Sequence, residues 1–347
     1  MRALWLAALL AAPAGATRPI TPPAPEFPPG AAWINSRPLS LELMRGRKVV
    51  LVAFLNPAGL HTLRLLPVLK AWFDRYALNQ LMIIGVVTPD LEIEKDATWV
   101  RAEIKRVGVD FPVVVDADRR LWKGYANDGW PALYVIDRKG RIVFDHLGEG
   151  GYEEIETEMR AALADVTDQV PDPVAPPEPK TKECGHATPD VRMGARVSVR
   201  PLRLDKGSST LHLLLESREG ELATRGKWDL EPDGLRLSRP APPDLGGFVR
   251  VVYEAVQALA VLAPPAGKKT RFFVKLDEQW LYEGIAGRDV RFDDDGRSFV
   301  PVDSARLYDL ARDSGDKPHE LYVMPEEAGS GVYGFEFADA CIATQLP

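Results

Sequence analysis

The sequence predicts an α/β domain with a mixed central sheet, followed by an all-β sandwich domain. Apolar runs of strand length alternate with amphipathic helical stretches in the first half of the chain. A proline-rich stretch interrupts this pattern, and short alternating segments separated by Gly and Asp turns follow it. The 347 residues also provide enough chain for roughly two domains.

The α/β domain is predicted from the order of its elements. The predicted elements are a buried strand at 48–55, a helix at 62–76, a second buried strand at 81–87, a charged amphipathic helix at 94–107, a short β-branched strand at 111–115, two strands at 132–137 and 141–146, and a closing helix at 152–166. The turn Asp137-Arg138-Lys139-Gly140 joins the two later strands as a hairpin. Strands alternating with helices, then a hairpin, indicate a mixed sheet.

The second domain is predicted to be built from short strands. Its clearest segments lie at 196–203, 210–216, 270–276 and 331–337. Residues 253–262 contain helix-forming residues, but their position between strand-like segments favours a strand. The run Asp293-Asp294-Asp295-Gly296 invites a calcium interpretation. It lacks the alternate acids and later glutamate of an EF-type loop, so a hairpin turn is predicted there.

The domain boundaries follow from composition. Arg2, an apolar run and the small residues 14–16 are typical of a signal peptide at 1–16, which predicts an exported protein, periplasmic or extracellular. An uncleaved anchor is the alternative, but the run is short for a spanning helix. A disordered Pro-rich tether at 17–30, the α/β domain at 31–165, a Pro-rich linker at 166–183 and the sandwich at 184–347 complete the prediction.

Charge and cysteine content restrict the partners and the chemistry. The formal net charge of −7 gives no indication of a nucleic-acid partner. The two cysteines, Cys184 and Cys341, allow one pairing in an oxidising compartment. A structural disulfide between the two ends of the sandwich is favoured over a displaced redox pair, because neither cysteine lies in a C-x-x-C motif.

Residues 33–165 resemble the thioredoxin-like domain of the TlpA and DipZ type. The resemblance rests on ordered segments: WINSRPLSLELMRGRKVVLVAFLN, LRLLPVLKAWFDRY, IIGVVTP, FPVVVDADRRLWKGY and WPALYVIDRKGRIVFDHLGEGGYEE. The second domain resembles the jelly-roll module of DipZ-type proteins, which is itself similar to carbohydrate-binding modules. That resemblance rests on TPDVRMG at 188, GKWDL at 226, VKLDE at 274, LYDL and HELYV within 307–323, and YGFEFADAC at 333.

The resemblance implies a C-x-x-C motif at the start of the first long helix, where a helix N-terminus activates one thiol and the second resolves the mixed disulfide. This chain has Gly59, Leu60, His61 and Thr62 at those four positions. Ala53 also replaces the buried acid that relatives carry in the preceding strand. We therefore expect a redox-inactive thioredoxin-like protein that acts as a binding or scaffold module. The alternative is a thiol-disulfide oxidoreductase, as the resemblance alone would imply.

Two candidate binding surfaces follow. His61 with Trp130 and Pro131, the latter matching a cis-proline loop, is predicted to form a groove with Gly59 and Leu60 that holds an extended polypeptide. His61 itself is interpreted as an exposed residue near a helix end rather than a base or ligand.

On the sandwich, Trp280 and Tyr282 are candidates for stacking on glycan rings, with burial in the core as the alternative. The sandwich is therefore expected to bind a glycan or a protein partner. No metal or cofactor site is predicted.

Overall fold

The computed structural model describes residues 21–176, 184–195, 218–239, 247–313, 315 and 317–343. The predicted signal peptide at 1–16 lies outside these residues. The first domain contains, in chain order, β1 (Ala32–Ile34), α1 (Leu41–Met44), β2 (Val49–Leu55), α2 (Leu60–Tyr76), β3 (Leu81–Val87), α3 (Ala97–Arg106), β4 (Val113–Val115), α4 (Arg120–Gly124), β5 (Ala132–Ile136), β6 (Ile142–Leu147) and α5 (Tyr152–Ala164).

These strands form the predicted mixed sheet, in the order β1-β4-β3-β2-β5-β6. Strands β2, β3 and β4 pair in parallel, whereas β1, β5 and β6 pair antiparallel to their neighbours. Both faces of β2 are buried: Leu51 packs in the cluster with α2, α3 and α5, and Val52 packs in the cluster with α1 and α4. Continuous apolar runs are what such doubly covered strands require.

Two predicted helix boundaries move for local reasons. Helix α2 begins at Leu60, two residues earlier than predicted. The predicted helix at 94–107 begins later, at Ala97, because the Asp96 side chain accepts a hydrogen bond from the amide of Thr98 at 2.8 Å and caps it there. The preceding Glu92–Lys95 forms a separate 3-10 turn.

The prediction of a disordered tether is wrong for residues 21–30. The amide of Ala24 donates to the carbonyl of Gly140 at 2.9 Å, and Phe27 packs edge-on against Trp33 with ring centroids 5.2 Å apart. The Glu26 carboxylate accepts from the amide of Leu41 at 2.8 Å, at the start of α1. Proline content limits regular hydrogen bonding, but these backbone, aromatic and carboxylate contacts together hold the segment on the domain.

The second domain is a β-sandwich of two antiparallel sheets. Its strands are β7 (Val191–Arg192), β8 (Leu222–Arg225), β9 (Trp228–Leu230), β10 (Leu235–Leu237), β11 (Phe248–Tyr253), β12 (Gln257–Ala263), β13 (Thr270–Leu276), β14 (Gln279–Trp280), β15 (Arg291–Phe292), β16 (Ser298–Val302), β17 (Arg306–Arg312), β18 (His319–Pro325) and β19 (Gly331–Ala338). The inner sheet has the order β17-β12-β19-β10-β9, with β7 beside β19. The outer sheet has the order β15-β16-β13-β18-β11-β8, with β14 beside β13.

The predicted strands at 270–276 and 331–337 are confirmed, and those at 196–203 and 210–216 lie outside the described residues. The Asp293–Gly296 segment is the predicted turn between β15 and β16, with the amide of Gly296 donating to the carbonyl of Asp293 at 2.9 Å.

The ambiguous segment at 253–262 is a strand, and β12 explains the ambiguity. Ala258, Ala260 and Leu262 point into the sandwich core, whereas Leu259 and Val261 point outward into a cluster shared with the first domain. Because both faces are apolar and buried, no period-two alternation is left in the sequence.

The predicted disulfide joins Cys184 and Cys341, which are separated by 157 positions in the chain. Residues 167–176 of the predicted linker lie against the first domain, since the amides of Val174 and Ala175 donate to the Glu156 carboxylate. Among the described residues, no helix combines the length and apolarity that a membrane crossing needs.

Candidate functional site

The loop between β2 and α2 is closed by its own side chains. The amide of Asn56 donates to the hydroxyl of Thr62 at 2.9 Å, and the Asn56 side chain accepts from the amide of Ala58 at 3.0 Å. Thr62 is buried in this position. The residue at the place of a resolving cysteine therefore holds the turn in its conformation.

The N-terminus of α2 is occupied by a carboxylate from the second domain. The amide of Leu60 donates to Glu336, which lies on β19 and has no solvent-exposed surface. Arg192 on β7 pairs with the same carboxylate at 2.7 Å and also reaches Asp90 at 3.3 Å. A helix N-terminus favours an anion because its first amides are unpaired and its dipole is positive there.

Apolar side chains from both domains surround this contact. We call this set the interdomain cluster; its buried members are Ala58, Leu60, Leu91, Leu259, Val261, Ala263, Ala305, Leu307, Tyr333 and Ala338. At its border the Trp99 indole donates to the carbonyl of Ala305 at 2.9 Å, and the amide of Glu92 donates to Asp233 at 2.6 Å. The inner sheet therefore lies directly on the start of α2.

This cover corrects part of the predicted groove. Gly59 and Leu60 were expected on an open surface, but both are buried, and Leu60 is 0% exposed. The sequence could not indicate this, because the covering strands lie more than 190 residues further along the chain. Hydrophobic residues at an active-site position are compatible with a groove or with an interface, and here they form an interface.

His61 is half-buried in a charged cluster, whereas an exposed residue near a helix end was expected. Its Nδ1 lies 2.9 Å from Glu149, and its Nε2 lies 3.8 Å from Asp190. Arg64, one turn along α2, also pairs with Glu149. The carboxylates come from the β6–α5 loop and from the segment before β7, so their distance from His61 in sequence concealed them.

The surroundings shift two ionisation equilibria at this cluster. The hydrogen bond that His61 donates to the Glu149 carboxylate raises the pKa of His61 above its usual value, in spite of the opposing effect of burial. Burial, together with the nearby Glu336 carboxylate, raises the pKa of Asp190. Both shifts favour the protonated forms when the domains are in contact.

Trp130 and Pro131 immediately precede strand β5, and the pairing of β5 with β2 fixes their position. The Trp130–Pro131 peptide bond is cis, as expected. Since Phe54 pairs with Ala132, Pro131 lies beside the end of β2. Pro131 is buried, and Trp130 packs on Trp122 with ring centroids 4.3 Å apart. Of the three predicted groove residues, His61 and Trp130 are therefore partly accessible and Pro131 is not.

The outer sheet carries an aromatic and cationic face. Phe273 and Phe299 are directly paired across β13 and β16, and Trp280 packs edge-on against Phe273 at 6.0 Å. The Lys275 ammonium lies 4.3 Å from the centre of the Trp280 ring. The predicted stacking residues differ in exposure: Tyr282 is 64% exposed, whereas Trp280 is half-buried.

In the described part of the chain, one group of side chains has its potential ligand atoms close enough together to hold a metal ion. This group is Cys184, Asp339 and Cys341. Both of its sulfur atoms are bonded to each other in the disulfide, so neither is available as a thiolate ligand.

The order and pairing of the strands, with a buried β2 leading into α2 and a cis-proline before β5, define the first domain as a thioredoxin-like fold of the redoxin type. The sequence is similar to protein DipZ of Mycobacterium bovis, with 30% identity over 219 residues that cover 61% of this chain and 31% of DipZ. It is also similar to the thiol-disulfide oxidoreductase YkuV of Bacillus subtilis, with 26% identity over 143 residues, 41% of this chain and 95% of YkuV.

Among solved structures, a putative thiol:disulfide interchange protein DsbE from Chlorobium tepidum is similar, with 21% identity, a TM-score of 0.36 and coverage of 41% of this chain and 96% of that one. No protein-family model matches the chain. The chain spans about a third of the length of DipZ.

Glu336, Arg192, Asp190 and Glu149 are site residues that the sequence did not single out. Glu336 carries the clearest signal, because it is a lone acid inside the apolar strand Gly331–Ala338. A buried acid in a strand requires a partner. The partner, an amide on another domain, has no sequence signature.

Proposed function

We propose that this chain is a binding or scaffold protein whose thioredoxin-like domain carries out no thiol chemistry and instead holds the β-sandwich in place. One observation carries the proposal: the α2 N-terminus, where this fold activates a thiol, donates to Glu336 and is covered by the inner sheet. Gly59 and Thr62 supply no sulfur there. The similarity to an oxidoreductase such as YkuV supports the fold, and the site lacks the groups that the reaction needs.

Insulin reduction by dithiothreitol tests this proposal. We expect the purified full chain to give the rate of dithiothreitol alone, whereas a thioredoxin with a C-x-x-C motif accelerates the reaction in the same assay. Acceleration by the wild-type chain would refute the proposal. Acceleration that is lost in the double variant Cys184→Ser, Cys341→Ser would assign the activity to that pair, which is the displaced-redox alternative.

A polypeptide partner at the start of α2 would have to displace the sandwich. We therefore propose that the chain contacts its partner through the sandwich rather than through His61, Trp130 and Pro131. In an NMR titration with an unfolded peptide, the His61 ring resonances should stay unmoved. A saturable shift of these resonances would instead support the groove.

The aromatic side chains on the outer sheet support a glycan as the binding partner. Phe273, Phe299 and Trp280 present aromatic rings on one face, and Arg271 adds hydrogen-bond donors beside the rings, with its guanidinium carbon 5.1 Å from the centre of Phe273. A glycan array probed with the full chain tests this proposal. We expect binding that is lost on Phe273→Ala. Phe292→Ala is the matched control, since Phe292 pairs with Ser298 and points away from the Phe299 face. Absence of binding to any glycan would refute it.

A further inference from the structure

A cavity of about 860 Å³ lies between α2 and the edge of the inner sheet. One wall is a single face of α2, formed by Leu63, Leu66, Pro67, Lys70, Ala71 and Asp74. The facing wall comes from β12, β17 and the loop before β15, and the end of α3 closes one side. Binding sites for small molecules typically have volumes of about 300–1,000 Å³ and often lie between domains.

The cavity begins where the close contact between the domains ends. Leu60 in the first turn of α2 lies under the inner sheet, whereas Leu63 in the next turn already lines the cavity. The Glu336 contact fixes the first turn of α2 on the inner sheet. The remaining turns of α2 are therefore held at a distance from the sheet and form one wall of the cavity.

The two walls of the cavity offer apolar surface to a ligand. Leu63 and Leu66 on the helix face Leu259 and Leu307 on the sheet. This wall can therefore hold an apolar body.

The carboxylates of the sheet wall are already neutralised. Asp289 pairs with Arg306 at 2.8 Å and accepts from the amide of Asp309 at 2.8 Å. Asp309 in turn pairs with Arg312 at 2.8 Å. These acids consequently contribute little net negative potential to the cavity.

The helix wall supplies a cation. Lys70 is half-buried, and across the described residues no carboxylate lies within ion-pair distance of its ammonium. The ammonium points toward Gly108, just after the C-terminus of α3. Asp74, the acid one turn further along α2, is exposed to solvent, so its charge is screened more strongly than that of Lys70.

We propose that this interdomain cavity binds a small amphipathic anion, a carboxylate or sulfonate on an aromatic or aliphatic body, with the headgroup on Lys70 and the body between Leu66 and Leu307. The site is independent of the absence of thiol chemistry at α2, because it uses neither Gly59 nor Thr62.

Isothermal titration of the full chain with 2-naphthalenesulfonate tests the proposal, with the neutral 2-naphthalenemethanol in parallel. We expect wild-type protein to bind the sulfonate with a Kd below about 1 mM and the alcohol more weakly. Lys70→Gln should weaken sulfonate binding about tenfold and leave binding of the alcohol unchanged. Ala71→Trp, at an exposed helix position that lines the cavity, should weaken binding of both probes because the indole occupies part of the space.

Lys123→Gln is the matched control, because Lys123 is exposed on α4 and lies outside the cavity. This variant should bind both probes as wild type does, and circular dichroism should show that every variant is folded. The proposal is overturned if wild-type protein does not bind the sulfonate, if Lys70→Gln binds it as tightly as wild type, or if Ala71→Trp leaves binding intact.

Discussion

At the scale of single residues, the start of α2 is held in place by contacts with other side chains of the same chain. Thr62 closes the loop, and the amide of Leu60 receives a carboxylate from the same chain. In a thioredoxin the unpaired amides of this helix end lower the pKa of a cysteine thiol. Here the amide of Leu60 at this helix end donates to Glu336, so the electrostatic property of the helix end stabilises the contact between the domains.

Replacing Glu336 should destabilise the protein far more than replacing an exposed glutamate. Glu336→Gln leaves Arg192 without its buried counter-charge, and breaking such pairs costs about 3–5 kcal/mol. Glu326→Gln, which removes an exposed pair with Arg271, should cost at most about 1 kcal/mol. Urea unfolding of both variants measures the difference. Equal losses would contradict the assigned role of Glu336.

The His61 cluster should make stability depend on pH. Because the folded-state pKa of His61 is raised, its contribution is fully present below the unfolded value of about 6.5 and is lost as pH rises through the folded pKa. The raised pKa of Asp190 acts in the same direction at lower pH. The free energy of unfolding should therefore fall as pH rises from about 3.8, the ordinary pKa of Asp190, through the raised folded-state pKa of His61.

An NMR titration of the His61 ring checks the shift directly. We expect its pKa above that of a model histidine, and Glu149→Gln should lower it, since Glu149 is the main cause of the shift. An unchanged pKa in Glu149→Gln would show that the carboxylate contact does not form in solution.

At the scale of elements, the sequence predicts strands and helices well wherever one local pattern decides them. The buried strands β2 and β3, the hairpin at 137–140 and the helix α5 follow from apolar runs, turn residues and helical periodicity. Short elements such as the strand β1 and the helices α1 and α4 were not predicted. Each has too few residues for a strand or helix period to be recognised in the sequence.

Strand β12, which contacts the other domain, is the element whose sequence pattern is least informative. The residues of β12 are apolar on both faces, so the strand loses the alternation that identifies a half-buried strand. Burial of apolar residues by a distant segment is also the reason why sequence analysis does not find the candidate site. Sequence shows that Leu60 is apolar and that sulfur is absent, but the identity of the surface that covers Leu60 depends on a contact between distant segments.

The contact between α2 and the inner sheet can be tested with two leucines. Leu60→Ala removes a side chain with 0% exposure from the interdomain cluster and should cost about 2–5 kcal/mol. Leu78→Ala, in the 3-10 turn after α2, alters a residue that is 93% exposed and should change stability by at most about 0.5 kcal/mol. Thermal and urea unfolding provide the comparison, and a small effect of Leu60→Ala would mean that the domains separate in solution.

At the scale of the whole molecule, the two domains form a continuous structure around the inner sheet. This sheet packs against the outer sheet on one face and against the start of α2 on the other. The sequence therefore predicts much of the fold of each domain but little of the contact between the two domains. Composition predicts a linker at 166–183 but carries no information about docking.

The disulfide should stabilise the sandwich mainly by restricting its unfolded state. In the chain-entropy model, closing a loop of this length contributes about 5 kcal/mol at most. The double variant Cys184→Ser, Cys341→Ser should accordingly unfold at lower urea concentration than wild type. A thiol reagent added to native wild-type protein should label neither cysteine. Two reactive thiols in the native protein would contradict a structural bridge.

The position of that bridge also determines how the molecule responds to mechanical load. When the chain is pulled at one point before Cys184 and at another after Cys341, tension crosses the sulfur–sulfur bond and bypasses the strands between them. The segment between the two cysteines spans 157 positions, which is about 550 Å when fully extended. This segment carries no tension until the disulfide is reduced. A reductant should lengthen the fully extended molecule by that amount in a single-molecule pulling experiment.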